Sequence, residues 1–153
     1  MTEVDRFNIQ RFVVAQDAGE TYDQALRELR SGRKMGHWIW YIFPQLPFGK
    51  TTTAQTYAIS GREEAVAYLA HPVLGARLIE CATMLLSVES ARSALAILGE
   101  LDAKKLRSSA TLFASVSPPD SVFARLLARF YDGVPDAKTL AMLASGDAEQ
   151  HQP

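Results

Sequence analysis

Pro72-Val73-Leu74-Gly75-Ala76-Arg77-Leu78-Ile79-Glu80-Cys81-Ala82-Thr83-Met84-Leu85-Leu86-Ser87-Val88 is the most apolar helical run in the chain. Leu74, Leu78, Ile79, Ala82, Leu85 and Leu86 recur at spacings of three and four, so they share one side of a helix. Pro72 suits the first turn, where its missing N–H costs little. The residue before a proline is pushed out of helical geometry, so His71 must end whatever helix precedes it.

Working outward, the same period repeats on both sides. Residues 5–16 carry Phe7, Phe12, Val13 and Val14, with Asp5 as a candidate N-cap and Gly19 as a stop. Thr21-Tyr22-Asp23-Gln24 has the form of a capping box and opens a stripe of Tyr22, Ala25, Leu26 and Leu29, closed by Gly32. Ser60-Gly61-Arg62-Glu63 repeats the device before Ala65, Val66, Tyr68 and Leu69. After the apolar run, residues 91–98 read as a short helix ended by Gly99. Asp102 then caps residues 103–115, and Pro118-Pro119 breaks the chain. Pro119 or Asp120 starts a helix through Val122, Phe123, Leu126, Leu127 and Phe130, stopped at Gly133. Asp136 caps a last one through Leu140, Met142 and Leu143. About eight helices this short cannot stand alone in water, so they must pack together. The expected architecture is all-α: a single-domain irregular bundle over residues 1–144, with a polar, frayed tail over 145–153.

Composition agrees. The 153 residues are 48% hydrophobic and 22% charged, with a net charge of -1. That is too apolar for a disordered chain, and no run reaches the roughly 18 apolar residues of a membrane span. Near-neutral charge argues against nucleic acid and anionic membranes as partners. Cys81 is the only cysteine, which leaves no internal disulfide, and Met1-Thr2-Glu3-Val4-Asp5 lacks the basic and apolar regions of a signal peptide. A cytoplasmic protein, monomeric or weakly homo-oligomeric, is expected.

Residues 33–53 interrupt the helical pattern: Arg33-Lys34-Met35-Gly36-His37-Trp38-Ile39-Trp40-Tyr41-Ile42-Phe43-Pro44-Gln45-Leu46-Pro47-Phe48-Gly49-Lys50-Thr51-Thr52-Thr53. Read as an extended strand, Trp38, Trp40 and Ile42 share one face and Ile39, Tyr41 and Phe43 the other. Both faces are apolar, which predicts a segment threaded through the core. The plain account is that these rings are core. Against it stand Lys34, His37, Gln45 and Lys50, because a buried lysine or histidine needs a partner. A partly open pocket with stacking rings, a cation and an imidazole accommodates all of them. Gly49-Lys50-Thr51 resembles the end of a P-loop, but the first glycine would fall at Pro44, so nucleoside-triphosphatase chemistry is rejected. Lys50 and residues 51–53 read instead as a solvated turn and N-cap.

Metal binding has no ligand spacing to support it. The histidines are His37, His71 and His151, and no Cys-x-x-Cys or His-Glu-x-x-His occurs. Cys81 lies in an apolar helix and reads as a small core residue. No cofactor is indicated. In residues 102–113, Lys105 faces Ser108 and Ser109 at helical spacing, beside a stripe of Leu106, Ala110 and Phe113. The plain account is a capped helix with a solvated basic half and hydroxyls at a close crossing. The functional one is a cation with hydroxyls, including Thr111, that hold phosphate or ribose. A lysine–serine nucleophilic dyad is weak, since the spacing recurs by chance.

At these segments the chain resembles a known bacterial family. Arg11-Phe12 with Ala15-Gln16, Arg33-Lys34 with His37-Trp38-x-Trp40 and Phe43-Pro44-Gln45, Tyr68-Leu69-x-His71-Pro72, and Asp102-x-x-Lys105-Leu106 with Ser108-Ser109-x-Thr111 carry the resemblance. The family is the domain-of-unknown-function family 1810, sometimes labelled calpastatin, a label that a compact apolar chain does not support. The resemblance spans about residues 7–143 and implies an all-α single domain. It supplies no activity. The family pattern has serine where this chain has Gly36 and methionine where it has Ala110. A distant likeness to families acting on ADP-ribose derivatives points the same way as the aromatic and cationic residues.

The leading expectation is therefore a pocket for a small anionic, nucleotide-like ligand, built by residues 34–45 and 102–113. Trp38 or Trp40 stacks on a ring, and Lys34 and Lys105 hold phosphate. Gln45, Ser108, Ser109 and Thr111 bind hydroxyls, and His37 acts as acid or base in an ADP-ribose-related hydrolase. The alternative is a non-catalytic protein–protein interaction module that docks through residues 33–48.

Overall fold

The computed structural model describes residues 5–89 and 92–150, the side chains of 147–150 apart. Among the described residues there is no strand. Ten α-helical segments follow one another: α1 Gln10–Asp17, α2 Thr21–Ser31, α3 Ile39–Ile42, α4 Thr52–Thr56, α5 Arg62–Ala70, α6 Leu74–Leu86, α7 Ala94–Leu98, α8 Glu100–Ala114, α9 Val122–Phe130 and α10 Ala137–Gln150. A 3-10 turn, Ala18–Glu20, links α1 to α2.

The apolar run forms α6, and its stripe of Leu74, Leu78, Ala82 and Leu85 is fully buried. Helices α2, α5 and α9 pack around it, while α8 lies against α5, α7, α9 and α10. A line of rings joins these layers. Phe12 meets Tyr68 edge-on at 5.1 Å, Tyr68 meets Phe113 at 5.4 Å, and Phe113 meets Phe123 at 5.6 Å.

Several caps form as their residues predict. Thr51 accepts the Ala54 N–H at 3.1 Å, and Asp136 accepts the Thr139 N–H at 2.9 Å. Asp5 also caps, but across a turn, its two carboxylate oxygens taking the N–H groups of Ile9 and Gln10. Those N–H groups hold its carboxyl below the ordinary range.

Other expectations need correction. The Thr21 box does not form: Glu20 is left-handed at φ 60°, the Thr21 hydroxyl turns back to the Ala18 carbonyl, and Gln24 donates to Glu28. In the Ser60 box the acid is displaced by one, and Glu64, not Glu63, accepts the Ser60 N–H at 2.9 Å. Pro72 lies just ahead of α6, whose first N–H groups are taken by the His71 ring instead. Nδ1 accepts from Val73 at 3.1 Å and from Leu74 at 3.2 Å. The hydroxyl cap of α9 is Ser121, and α8 begins at Glu100, with Asp102 in its first turn. Ala91, the start expected for α7, lies outside the described residues. Helix α10 runs as far as Gln150, and residues 151–153 of the expected tail lie outside the described residues.

The largest difference is at residues 33–53. The aromatic cluster is present, but Ile39–Ile42 is a turn of α-helix rather than a strand. Alternation over four residues cannot tell a strand from one helical turn whose sides are both covered. Pro44 and Pro47 then keep the chain irregular up to α4.

Candidate functional site

The entry to α3 is organised by one carboxylate. Glu28, on α2, accepts the N–H groups of Met35 at 2.6 Å and Gly36 at 2.8 Å, and the Trp38 indole N–H at 2.9 Å. Burial pushes its carboxyl up. The N–H donors of Gly36, Met35, Gln24 and Trp38 outweigh burial and hold it down at about 2. This clamp buries Trp38 to 2% exposure, so the ring has no face for a ligand. Trp40, two residues on, is half-buried and turns toward α8.

Lys34 is also used up. Its side chain is 6% exposed, its Nζ lies 2.6 Å from an Asp102 oxygen and 4.9 Å over the Trp38 ring, and it donates to the Gly36 carbonyl. The other oxygen of Asp102 receives Lys105 Nζ at 3.2 Å, and that ammonium lies 4.1 Å over the Trp40 ring. Asp102 therefore ties the two lysines together and sets the second against the half-exposed indole.

Around Trp40 and Lys105 opens a cleft of about 480 Å³. Trp40, Gln45, Phe48 and Gly49 form one wall. Helix α8 supplies Leu101, Lys104, Lys105, Arg107 and Ser108, and the start of α10 supplies Asp136 and Lys138. A Cβ on Gly49 would stand 2.3 Å from that of Ala54 and 3.5 Å from the Trp40 ring, so only glycine lets this wall approach so closely. Four cationic side chains thus share the wall with one carboxylate. That carboxylate, Asp136, is already engaged as the α10 cap, accepting from both the N–H and the hydroxyl of Thr139. Lys104 and Lys138 are exposed, and Lys138 Nζ lies 5.3 Å over Phe48. Arg107 gives its Nε to the Val134 carbonyl at 3.0 Å. The cleft is positive, with an aromatic flank.

The structure brings together Trp40, Gln45, Lys105 and Ser108 of the sequence-predicted set. The others lie elsewhere. Ser109 is buried and off the cleft wall. The Thr111 hydroxyl donates to the Arg107 carbonyl and accepts the Asp136 N–H at 2.8 Å, so it seats α10 on α8 rather than facing a ligand. His37 is exposed and forms no part of the cleft wall. Sequence reasoning missed Lys104, Arg107 and Lys138 as site residues, and it saw Asp102 only as a cap. The one signal for Lys104 and Arg107 was the cluster of basic residues in the first half of α8, and Lys138, on α10, gave none.

A second cleft, of about 430 Å³, lies between the N-terminal turn and the end of α5. Its titratable groups are already used: Asp5 and His71 both accept backbone N–H groups, and Arg6 pairs with Glu63 at 2.9 Å. Among the described residues no group of three or more His, Cys, Asp or Glu side chains is placed to hold a metal ion. No single helix among them is long and apolar enough to cross a membrane. Burial pushes the Cys81 thiol up to about 12, which makes it a poor nucleophile.

A family model described as "Protein of unknown function (DUF1810)" matches residues 6–143. Among solved structures, the chain is similar to the conserved hypothetical protein Rv1873 from Mycobacterium tuberculosis. The two share 46% identity and superpose with a TM-score of 0.87, over 92% of this chain and 99% of that one. No curated protein sequence matches the chain.

Proposed function

The chain belongs to the DUF1810 family of proteins of unknown function, and from that premise we propose that it binds a small anionic, nucleotide-like molecule in the cleft between α3, α8 and α10. One observation carries the reading: three segments far apart in sequence place four cations around a half-exposed tryptophan. A plain core has no use for that arrangement, and a solvated surface would not gather it in a concavity. Lys105, with Lys104 and Lys138, meets the phosphates. Trp40 offers its π-face to a flat ring, and Lys105 leaves that face for the anion when the ligand enters. Ser108 keeps acceptor capacity for a ligand hydroxyl, since its own hydroxyl donates to the Lys104 carbonyl at 3.3 Å.

Binding has more support than hydrolysis. An ADP-ribose-related hydrolase needs a free acid or base over the ligand, and His37 is not on the wall. Asp136 is spent on its cap, and Asp102 on two lysines. Docking of a protein through residues 33–48 has less support, because Trp38, Ile39, Ile42, Phe43 and Leu46 are all buried.

Isothermal titration with pyrophosphate, ADP and ADP-ribose tests the reading, with product analysis of the ADP-ribose sample. Saturable binding weakened about tenfold or more by Lys105→Ala is expected. If none of the three binds at millimolar concentration to the folded protein, the cleft is not a nucleotide site.

A further inference from the structure

We propose that Gln45 selects the ring of the bound ligand, and that it selects one presenting a hydrogen-bond donor beside an acceptor, as the N6/N7 edge of adenine does. This rests on the ligand-binding reading of the cleft and adds a specificity to it.

Gln45 is 8% exposed, yet it lines the cleft. A buried glutamine ordinarily finds partners within the protein, as Gln16 does here. Its Nε2 donates to the Tyr41 carbonyl at 2.8 Å and its Oε1 accepts from Arg77 at 3.1 Å. The side-chain amide of Gln45 makes no such bond to any described residue. Among the described residues no side-chain nitrogen or oxygen is both cut off from solvent and without a partner. The Gln45 amide therefore opens into the cleft, with its donor and acceptor both unspent.

Its position is fixed. The Gln45 carbonyl accepts the Ile59 N–H at 2.8 Å, and the buried Pro44 and Leu46 flank it. A nearly buried amide held on a rigid backbone discriminates well, because a ligand group that cannot complete both bonds leaves the amide desolvated and unpaired. Trp40, in the same wall, supplies a face for stacking, which turns a ring's edge rather than its face toward other groups. A glutamine amide pairs with adenine by donating to N7 and accepting from the N6 amino group. In hypoxanthine an oxygen replaces that amino group, and two acceptors then face the amide oxygen and its N–H.

The test is titration of the full chain with ADP, inosine diphosphate and pyrophosphate, repeated with Gln45→Leu and with Gln45→Met, which keeps the side-chain length. Thermal melts of each variant confirm folding. The wild-type chain should prefer ADP to inosine diphosphate by about tenfold, the size of one well-made hydrogen-bond difference. Either variant should bring ADP down to the level of inosine diphosphate and leave pyrophosphate within about twofold. Equal affinity of the wild type for the two nucleotides overturns the proposal while leaving the anion site in place, provided pyrophosphate still binds. A preference that survives in both variants does the same. Failure of all three probes overturns the ligand-binding reading, and this proposal with it.

Discussion

Asp102 stands between Lys34 Nζ at 2.6 Å and Lys105 Nζ at 3.2 Å, and the Lys34 side chain is almost wholly buried. Removing one partner of a buried pair leaves the other charged and unpaired, which typically costs about 3–5 kcal/mol. Asp102→Ala should therefore destabilise the protein by about 3 kcal/mol in urea unfolding, and Lys34→Met should recover much of that loss in the double variant. Additive losses would mean that the pair is not coupled. Glu28 makes a second prediction at this scale. Its carboxyl is held at about 2 against an ordinary 4.5, so its contribution is complete above about 4.5 and is lost as pH falls toward 2. In Glu28→Gln the acid limb of the stability curve should be shallower in that window, and the protein less stable at neutral pH. If the two acid limbs superimpose, the Glu28 clamp is not part of the folded-state titration.

The turn between α5 and α6 shows what an element demands beyond its own period. The two helices meet at 90°, and a Cβ on Gly75 would lie 2.1 Å from the Leu69 carbonyl oxygen. That oxygen belongs to backbone and cannot swing away, so Gly75→Ala should lose about 1–3 kcal/mol despite the better helix propensity of alanine. A thermal melt unchanged from the wild type would contradict this crossing. Glycine at residue 75 gave no warning in the sequence, because inside a helical run it reads as a weak position and the clash is with another element. The same distinction separates what was legible from what was not. The stripes of α2, α6 and α9 could be read because each repeats over two turns or more and buries one side. The caps at Thr51 and Asp136 could be read because the side chain serves the helix that follows it. Helix α3 could not, since four residues hold no period. The Thr21 box failed because a left-handed Glu20 redirected the Thr21 hydroxyl to Ala18. Connections between elements were also invisible: Arg129, on α9, donates to four carbonyls, those of Leu85 and Leu86 in the last turn of α6 and of Val88 and Glu89 just beyond it.

At the scale of the molecule, the cleft is a product of packing. Lys105 and Ser108 could be picked out because helical spacing puts them together, and Trp40 because its neighbours were anomalous. Lys138 could not, because it reaches the wall only through Asp136, whose N–H is fixed by the Thr111 hydroxyl across α8 and α10. The whole chain carries a net charge of -1, while the cleft wall gathers four cations beside one carboxylate. Any attraction for an anion is thus local, and it acts over distances that salt screens, the Debye length being about 10 Å at 0.1 M. A ligand present at about a hundred times its dissociation constant stabilises the fold by about 2.7 kcal/mol, or roughly 5–10 °C in Tm for a chain of this size. Saturating ADP should therefore raise Tm by that amount at low ionic strength, and raising sodium chloride to about 0.5 M should reduce the shift substantially. Uncharged adenosine should give a much smaller shift that salt leaves unchanged, because stacking on Trp40 and the Gln45 contact involve no ionic partner. The Lys105→Ala variant, bound about tenfold more weakly, should show about half the wild-type shift with ADP, because Lys104 and Lys138 still meet the phosphates. A shift equal for ADP and adenosine, or one insensitive to salt, would show that the cations around Trp40 do not face the ligand.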